Sequence, residues 1–126
     1  MERFEYCNPN PKRKSVGDCV IRALSIALDK PWEETYMEIC AQGFKMADMP
    51  TANRVWGRYL RDKGFERKTA ESEVTVGKFC EEHEEGTFIL GLDGHVVVAF
   101  DGHYFDTWDS GDETVLYYWA LSQRKE

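Results

Sequence analysis

The chain has 126 residues, 42% hydrophobic and 13% aromatic, which suits one globular domain with a real core and argues against disorder outside the ends. Its formal net charge of −7 argues against a general nucleic-acid binder, because phosphate binding rests on Lys and Arg. No stretch approaches the ~18 apolar residues needed to span a bilayer, and residues 1–6 are charged with no apolar signal core, so a cytoplasmic protein is expected.

Residues 1–16 read as an extended lead-in, since Asn8-Pro9-Asn10-Pro11 forbids helix there. The patch Lys12-Arg13-Lys14 reads as a solvated loop. Ser15 or Asp18 is placed to cap a helix that starts at Cys19. The run Cys19 to Leu28 is almost wholly apolar, which predicts a helix buried on most sides. Pro31 opens a second helix, with Trp32, Tyr36, Ile39 and Cys40 at helical spacing. Thr51 opens a third, with Val55, Trp56, Tyr59 and Leu60 on one face and Gly64 as its end signal. A short fourth helix is expected over Val74 to His83. From Gly86 the apolar pattern changes. Thr87–Leu92, His95–Phe100 and His103–Trp108 read as strands joined at Asp93-Gly94 and Asp101-Gly102, with a possible fourth over Thr114 to Trp119. The predicted architecture is α+β in a single domain over 1–126: N-terminal helices packed on a C-terminal antiparallel sheet.

Three residues in this frame carry chemistry. Cys19 opens a buried helix, where backbone N–H groups and the helix dipole favour a thiolate. His95 opens a strand, and Asp106 lies on the next. With Asp101-Gly102 at the hairpin centre, Asp106 falls opposite Val97 and Trp108 opposite His95, so imidazole and carboxylate come within diagonal reach. A carboxylate there fixes the tautomer and stabilises the imidazolium. Asp109 has the opposite parity and ranks second. Asp106 sits mid-strand, where Asp is disfavoured, and such a violation of local propensity often marks function.

The order of Cys on a first helix, His at a strand start and an acid on the following strand resembles that of the papain-like cysteine peptidases. Asp106-Thr107-Trp108 stands where that family carries Asn-Ser-Trp. Gly17-Asp18-Cys19-Val20-Ile21-Arg22-Ala23-Leu24, together with Gly94 to Val98 and Asp106 to Asp109, is similar to small phage and bacterial members of the clan. The bacteriocin-leader peptidases of export transporters share the layout. The resemblance implies a papain-like fold and a cysteine hydrolase acting through a thioester, with Cys19 as nucleophile, His95 as base and Asp106 as its orienting group. It further implies that Trp108 covers the His–Asp hydrogen bond. The chain departs from papain in three ways. Gly-Asp precedes the cysteine, the chain is short, and the glutamine that completes the oxyanion hole is replaced by Arg13. The backbone N–H of Cys19, with Asn8 or Asn10, is the donor set the sequence offers, and Asp18 is a further site-lining candidate.

Plainer readings stand beside these. Cys19 could be a buried helix cysteine and Asp18 a simple cap. His103 reads as exposed and inert, whereas Cys40, Cys80, Trp32, Trp56, Tyr59 and Trp119 read as core. Arg22, one turn after Cys19, is expected to pair with a buried acid such as Asp18 at i−4. Cys80 and His83 have a metal-type spacing without a second ligand pair, so neither a metal nor an organic cofactor is expected. The expected partner is a peptide or protein substrate, basic or neutral given the acidic surface, and neither nucleic acid nor membrane. The alternatives are a catalytically inactive papain-like fold that binds and inhibits another protein, as in phage counter-defence, and a transglutaminase-like acyltransferase.

Overall fold

A computed structural model describes residues 2–121. In chain order it comprises β1 (Phe4–Tyr6), α1 (Cys19–Leu28), α2 (Trp32–Met46), α3 (Asn53–Asp62), β2 (Phe65–Thr69) and α4 (Val76–Glu82). These are followed by β3 (Thr87–Leu92), β4 (His95–Phe100), β5 (His103–Asp106) and β6 (Tyr117–Leu121). The architecture is α+β, with four helices and a six-stranded sheet in the order β1-β5-β4-β3-β6-β2.

The sheet corrects the expectation in two respects. It is mixed, because β1 runs parallel to β5, and it is not wholly C-terminal, because β1 and β2 form its two edges. Neither edge strand has an apolar run to betray it. β1 is three residues long, and only Phe65 is buried in β2. Both are held by main-chain pairing, which leaves no mark on hydrophobic periodicity. The last strand starts at Tyr117, later than expected, and Thr114 instead bridges to Thr75.

Helices cover both faces of the sheet, which explains the unbroken apolar runs of β3 and β4. Val20, Ile21 and Leu24 of α1, Ile39 of α2, and Trp56 and Leu60 of α3 pack on Ile89, Val98 and Trp119. On the other face, Val76, Phe79 and Cys80 of α4 pack on Leu90, Val97 and Ala99. α1 lies against β4 with α2 on its outer side, so most of its circumference is buried, as its composition predicts. It ends at Asp29, in the left-handed region at φ 54°, with the N–H of Lys30 returned to the carbonyl of Ser25 at 2.9 Å. Among the described residues no helix is long and apolar enough to cross a membrane.

Candidate active site

The hairpin register is the one the Asp-Gly turn dictates: Phe100 faces His103, Ala99 faces Tyr104 and Val98 faces Phe105. The β4–β5 ladder stops there, and beyond it the two strands no longer pair with each other. His95, at the start of β4 and paired with Leu92 of β3, and Asp106, at the end of β5 and paired with Tyr6 of β1, meet in this gap. His95 Nε2 lies 2.7 Å from Asp106 Oδ2. With Nε2 held by the carboxylate, Nδ1 is the ring nitrogen left to face the Cys19 thiol, which lines the same cavity as His95 and Val96. Sequence order and register thus place Cys19, His95 and Asp106 together.

These contacts set the electrostatics. Burial pushes the Cys19 thiol up. The hydrogen bonds from His95 and Val96, with the charges of His95 and Arg22, outweigh burial and hold it below the usual thiol range. Burial pushes His95 down, but its hydrogen bonds to Asp106 and Cys19 lift it to about 9. A lowered thiol beside a raised imidazole favours a thiolate–imidazolium pair. Cys7 and Cys80 go the other way, pushed up by burial, Cys80 to about 11.

The carboxylate behind the histidine is fixed from several sides. Asp106 is only 2% exposed. It accepts from Arg22 Nη2 at 3.3 Å, from Ser110 Oγ at 3.2 Å and from the N–H of Thr107 at 2.8 Å. Its own carbonyl accepts from the N–H of Cys7 at 2.9 Å, where β1 leaves the sheet. Arg22 reaches Asp18 through Nη1, and Trp32 Nε1 donates to the second Asp18 oxygen at 2.9 Å. A buried chain of contacts therefore runs Trp32, Asp18, Arg22, Asp106, His95, Cys19. The expected i−4 pairing of Arg22 is present, and its second hand on Asp106 lies beyond what local spacing reveals.

Asp18 occupies the N-cap position of α1 but makes no capping bond, because its carboxylate is committed to a guanidinium and an indole. Ser15 does not cap either. The first turn of α1 therefore keeps its backbone donors free of a side-chain cap beside the thiol. Asn8 and Asn10 are not at the site. Asn8 donates to the Lys14 carbonyl at 3.3 Å, and Asn10 Oδ1 accepts from the N–H of Lys12 at 2.9 Å. They shape the Pro-containing loop, as Asx residues commonly do. Thr51 and Asn53, in and before the first turn of α3, line the cavity in front of Cys19 together with Asp18, Asp93 and Tyr117. Asn53 Oδ1 accepts from Trp56 Nε1 at 3.2 Å, which directs its amide NH₂ away from that indole. Trp108 lies against His95 with ring centroids 5.0 Å apart, yet it remains 45% exposed, so it flanks the imidazole without sealing it. Asp109 is turned away, accepting from the Tyr104 hydroxyl and the N–H of Gly111.

Other expectations shift in detail. Trp56, Tyr59, Trp119 and Cys80 are core, whereas Cys40 is half-buried and Trp32 belongs to the Asp18 network. His103 is half-buried beside Glu5 and is not free in solvent. His83 stacks on Phe79 and bonds to its carbonyl through Nδ1 at 2.9 Å.

A cavity of about 390 Å³ opens in front of Cys19 and His95, walled on its far side by Leu116 and Tyr117. The Tyr117 ring lies flat over Gly91, the residue paired with it across β3 and β6; a Cβ on Gly91 would stand 2.1 Å from the ring. Gly91→Ala is therefore expected to expel the ring and cost about 1–3 kcal/mol in urea unfolding, the usual range for overpacking. Unchanged stability in that experiment would mean the ring does not rest there. No protein-family model matches the chain, and no curated protein or solved structure is detectably similar to it.

Proposed function

We propose that the protein is a papain-like cysteine hydrolase that cleaves an amide or thioester bond in a peptide or protein substrate. The observation that carries this reading is that Cys19 and His95 line one cavity, with His95 held by a buried Asp106 at 2.7 Å.

The steps follow from the pair. The Cys19 thiolate attacks the carbonyl carbon, and negative charge moves to the carbonyl oxygen. The uncapped first turn of α1 supplies the backbone N–H of Cys19 to that oxygen, and Asn53 or Thr51 supplies a second donor in place of the family's glutamine. As the tetrahedral adduct collapses, the C–N or C–S bond breaks and the His95 imidazolium protonates the leaving group. Water then attacks the thioester, His95 takes its proton, and the carboxylic acid leaves with the thiolate restored. Asp106 keeps Nε2 occupied so that Nδ1 faces the sulfur throughout.

The test needs no natural substrate. p-Nitrophenyl acetate is expected to deposit an acetyl group on Cys19, seen by peptide mass spectrometry, with burst kinetics. His95→Ala is expected to slow both its formation and its hydrolysis by about 10²–10⁴-fold. Acetylation of surface lysines with none on Cys19 would defeat the reading.

The pH profile adds a sign. The ion pair exists above the lowered Cys19 value and below about 9, where His95 loses its proton. Amide turnover, which needs the imidazolium as acid, is therefore expected to fall on the alkaline side near pH 9. Cys19 alkylation needs only the thiolate and should stay level there. Parallel profiles for the two reactions would contradict the assignment of His95 as acid.

A further inference from the structure

We propose that a second cavity, on the far side of Tyr117 from Cys19, is a subsite for an acidic stretch of the peptide substrate. The proposal rests on the hydrolase reading and names its substrate class. The cavity measures about 280 Å³ and shares Asn53 and Tyr117 with the one in front of Cys19. Arg54, Arg58, Arg61 and Arg67 line it. On a chain with 16 Lys and Arg against 23 Asp and Glu, four arginines converging on one hollow stand against the overall balance.

Local structure explains the convergence. Arg54, Arg58 and Arg61 stand at i, i+4 and i+7 on α3, one face of that helix, opposite the face that buries Val55 and Leu60. Arg67 comes from β2, diagonal to Tyr117 across the β2–β6 pairing. Two of the four have carboxylate partners: Arg54 with a half-buried Asp48 at 2.8 Å, and Arg58 with Asp62 at 3.3 Å in an exposed pair that exchanges readily with solvent. Arg61 and Arg67 make no ion pair among the described residues. Each lies over an aromatic ring, Arg61 at 5.2 Å from the Trp119 centroid and Arg67 at 4.2 Å from the Tyr117 centroid. A guanidinium stacked by its face keeps its N–H edge free for a carboxylate, and the ring holds it ready.

Net charge alone points to a basic or neutral peptide. Asp93 lines the cavity of Cys19 itself, but the four arginines of the neighbouring hollow point the other way, and at contact range the local charges decide. Acidic side chains a few residues from the scissile bond would reach this hollow while the carbonyl sits over Cys19.

The test uses epoxysuccinyl probes carrying Glu-Glu, Ala-Ala or Lys-Lys, attached in either peptide direction, with Cys19 alkylation followed by intact mass. The iodoacetamide rate of each protein serves as the reference. The Glu-Glu probe is expected to react about tenfold faster than the Lys-Lys probe in one direction, and the advantage should shrink as salt is raised. Arg61→Gln/Arg67→Gln, at two exposed positions, should bring the ratio to about one. Equal rates, or a Lys-Lys preference, with rapid iodoacetamide labelling would overturn the subsite and leave the hydrolase reading standing. Slow iodoacetamide labelling of Cys19 would overturn the hydrolase reading itself. A single-stranded oligonucleotide that binds at the arginines, with no Glu-Glu preference, would overturn the subsite in favour of a nucleic-acid ligand.

Discussion

Iodoacetamide at about pH 6 is expected to label Cys19 on the order of 10- to 100-fold faster than Cys7. An ordinary thiol is almost wholly protonated there, and only the thiolate reacts. Cys19 is half-buried and opens onto a cavity, so reagent can reach it. Its hydrogen bonds from His95 and from the Val96 N–H favour the thiolate. Cys7 is a fair internal control, because it is also half-buried yet pushed up by burial. The gain falls short of the full ratio of thiolate fractions, since a lower pKa also weakens the nucleophile. His95→Ala should bring Cys19 back to the rate of Cys7. Peptide-resolved mass spectrometry reads both rates in one sample. If Cys19 labels no faster than Cys7 in the unaltered protein, there is no activated thiolate and catalysis must be abandoned.

Arg22→Met is expected to cost about 3–5 kcal/mol in urea unfolding, the largest loss expected of any single substitution considered for this chain. The guanidinium is buried between Asp18 and Asp106, as the cationic partner of Asp18 and, with His95, one of two on Asp106. Removing it leaves the Asp18 carboxylate buried without a counter-charge and leaves Asp106 with His95 as its one cationic partner, and that desolvation is the source of the loss. Methionine preserves the alkyl volume, so a packing defect contributes little. Arg22→Lys restores charge but not the fork. A single ammonium cannot span two carboxylates that occupy separate guanidinium nitrogens, and it should recover less than half of the loss. The same variants should slow Cys19 labelling, because Asp106 would no longer be held against His95. A loss under about 1 kcal/mol would mean the arginine is solvated and the network is not closed.

Local chemistry in the sequence carried the site further than it carried the sheet. Helix α1, the β4–β5 register and the meeting of His95 with Asp106 all follow from short-range signals: an apolar run after a polar loop, and an Asp-Gly turn that fixes every pair around it. The second contact of Arg22 could not be read that way, since Asp106 lies 84 residues on and nothing local ties them. Ser110 and Trp32 were hidden for the same reason: a serine in a turn and a tryptophan at helical spacing look alike whether or not a carboxylate waits nearby. Asn8 and Asn10 misled because they precede the cysteine as the family's oxyanion donor does, whereas their prolines and Asx bonds tie them into the loop. The strands β1 and β2 escaped notice because an edge strand needs only backbone partners.

The Arg22–Asp106 contact also has a bearing on synthesis. At about 5–20 residues per second, the 84 residues between them take roughly 4–17 s to translate. Throughout that interval Cys19 exists without the carboxylate that completes its surroundings, and its thiol has no more than ordinary reactivity. Cys19 gains His95 and Asp106 beside it only when β4 and β5 close against α1, so a nascent or truncated chain presents an ordinary thiol there.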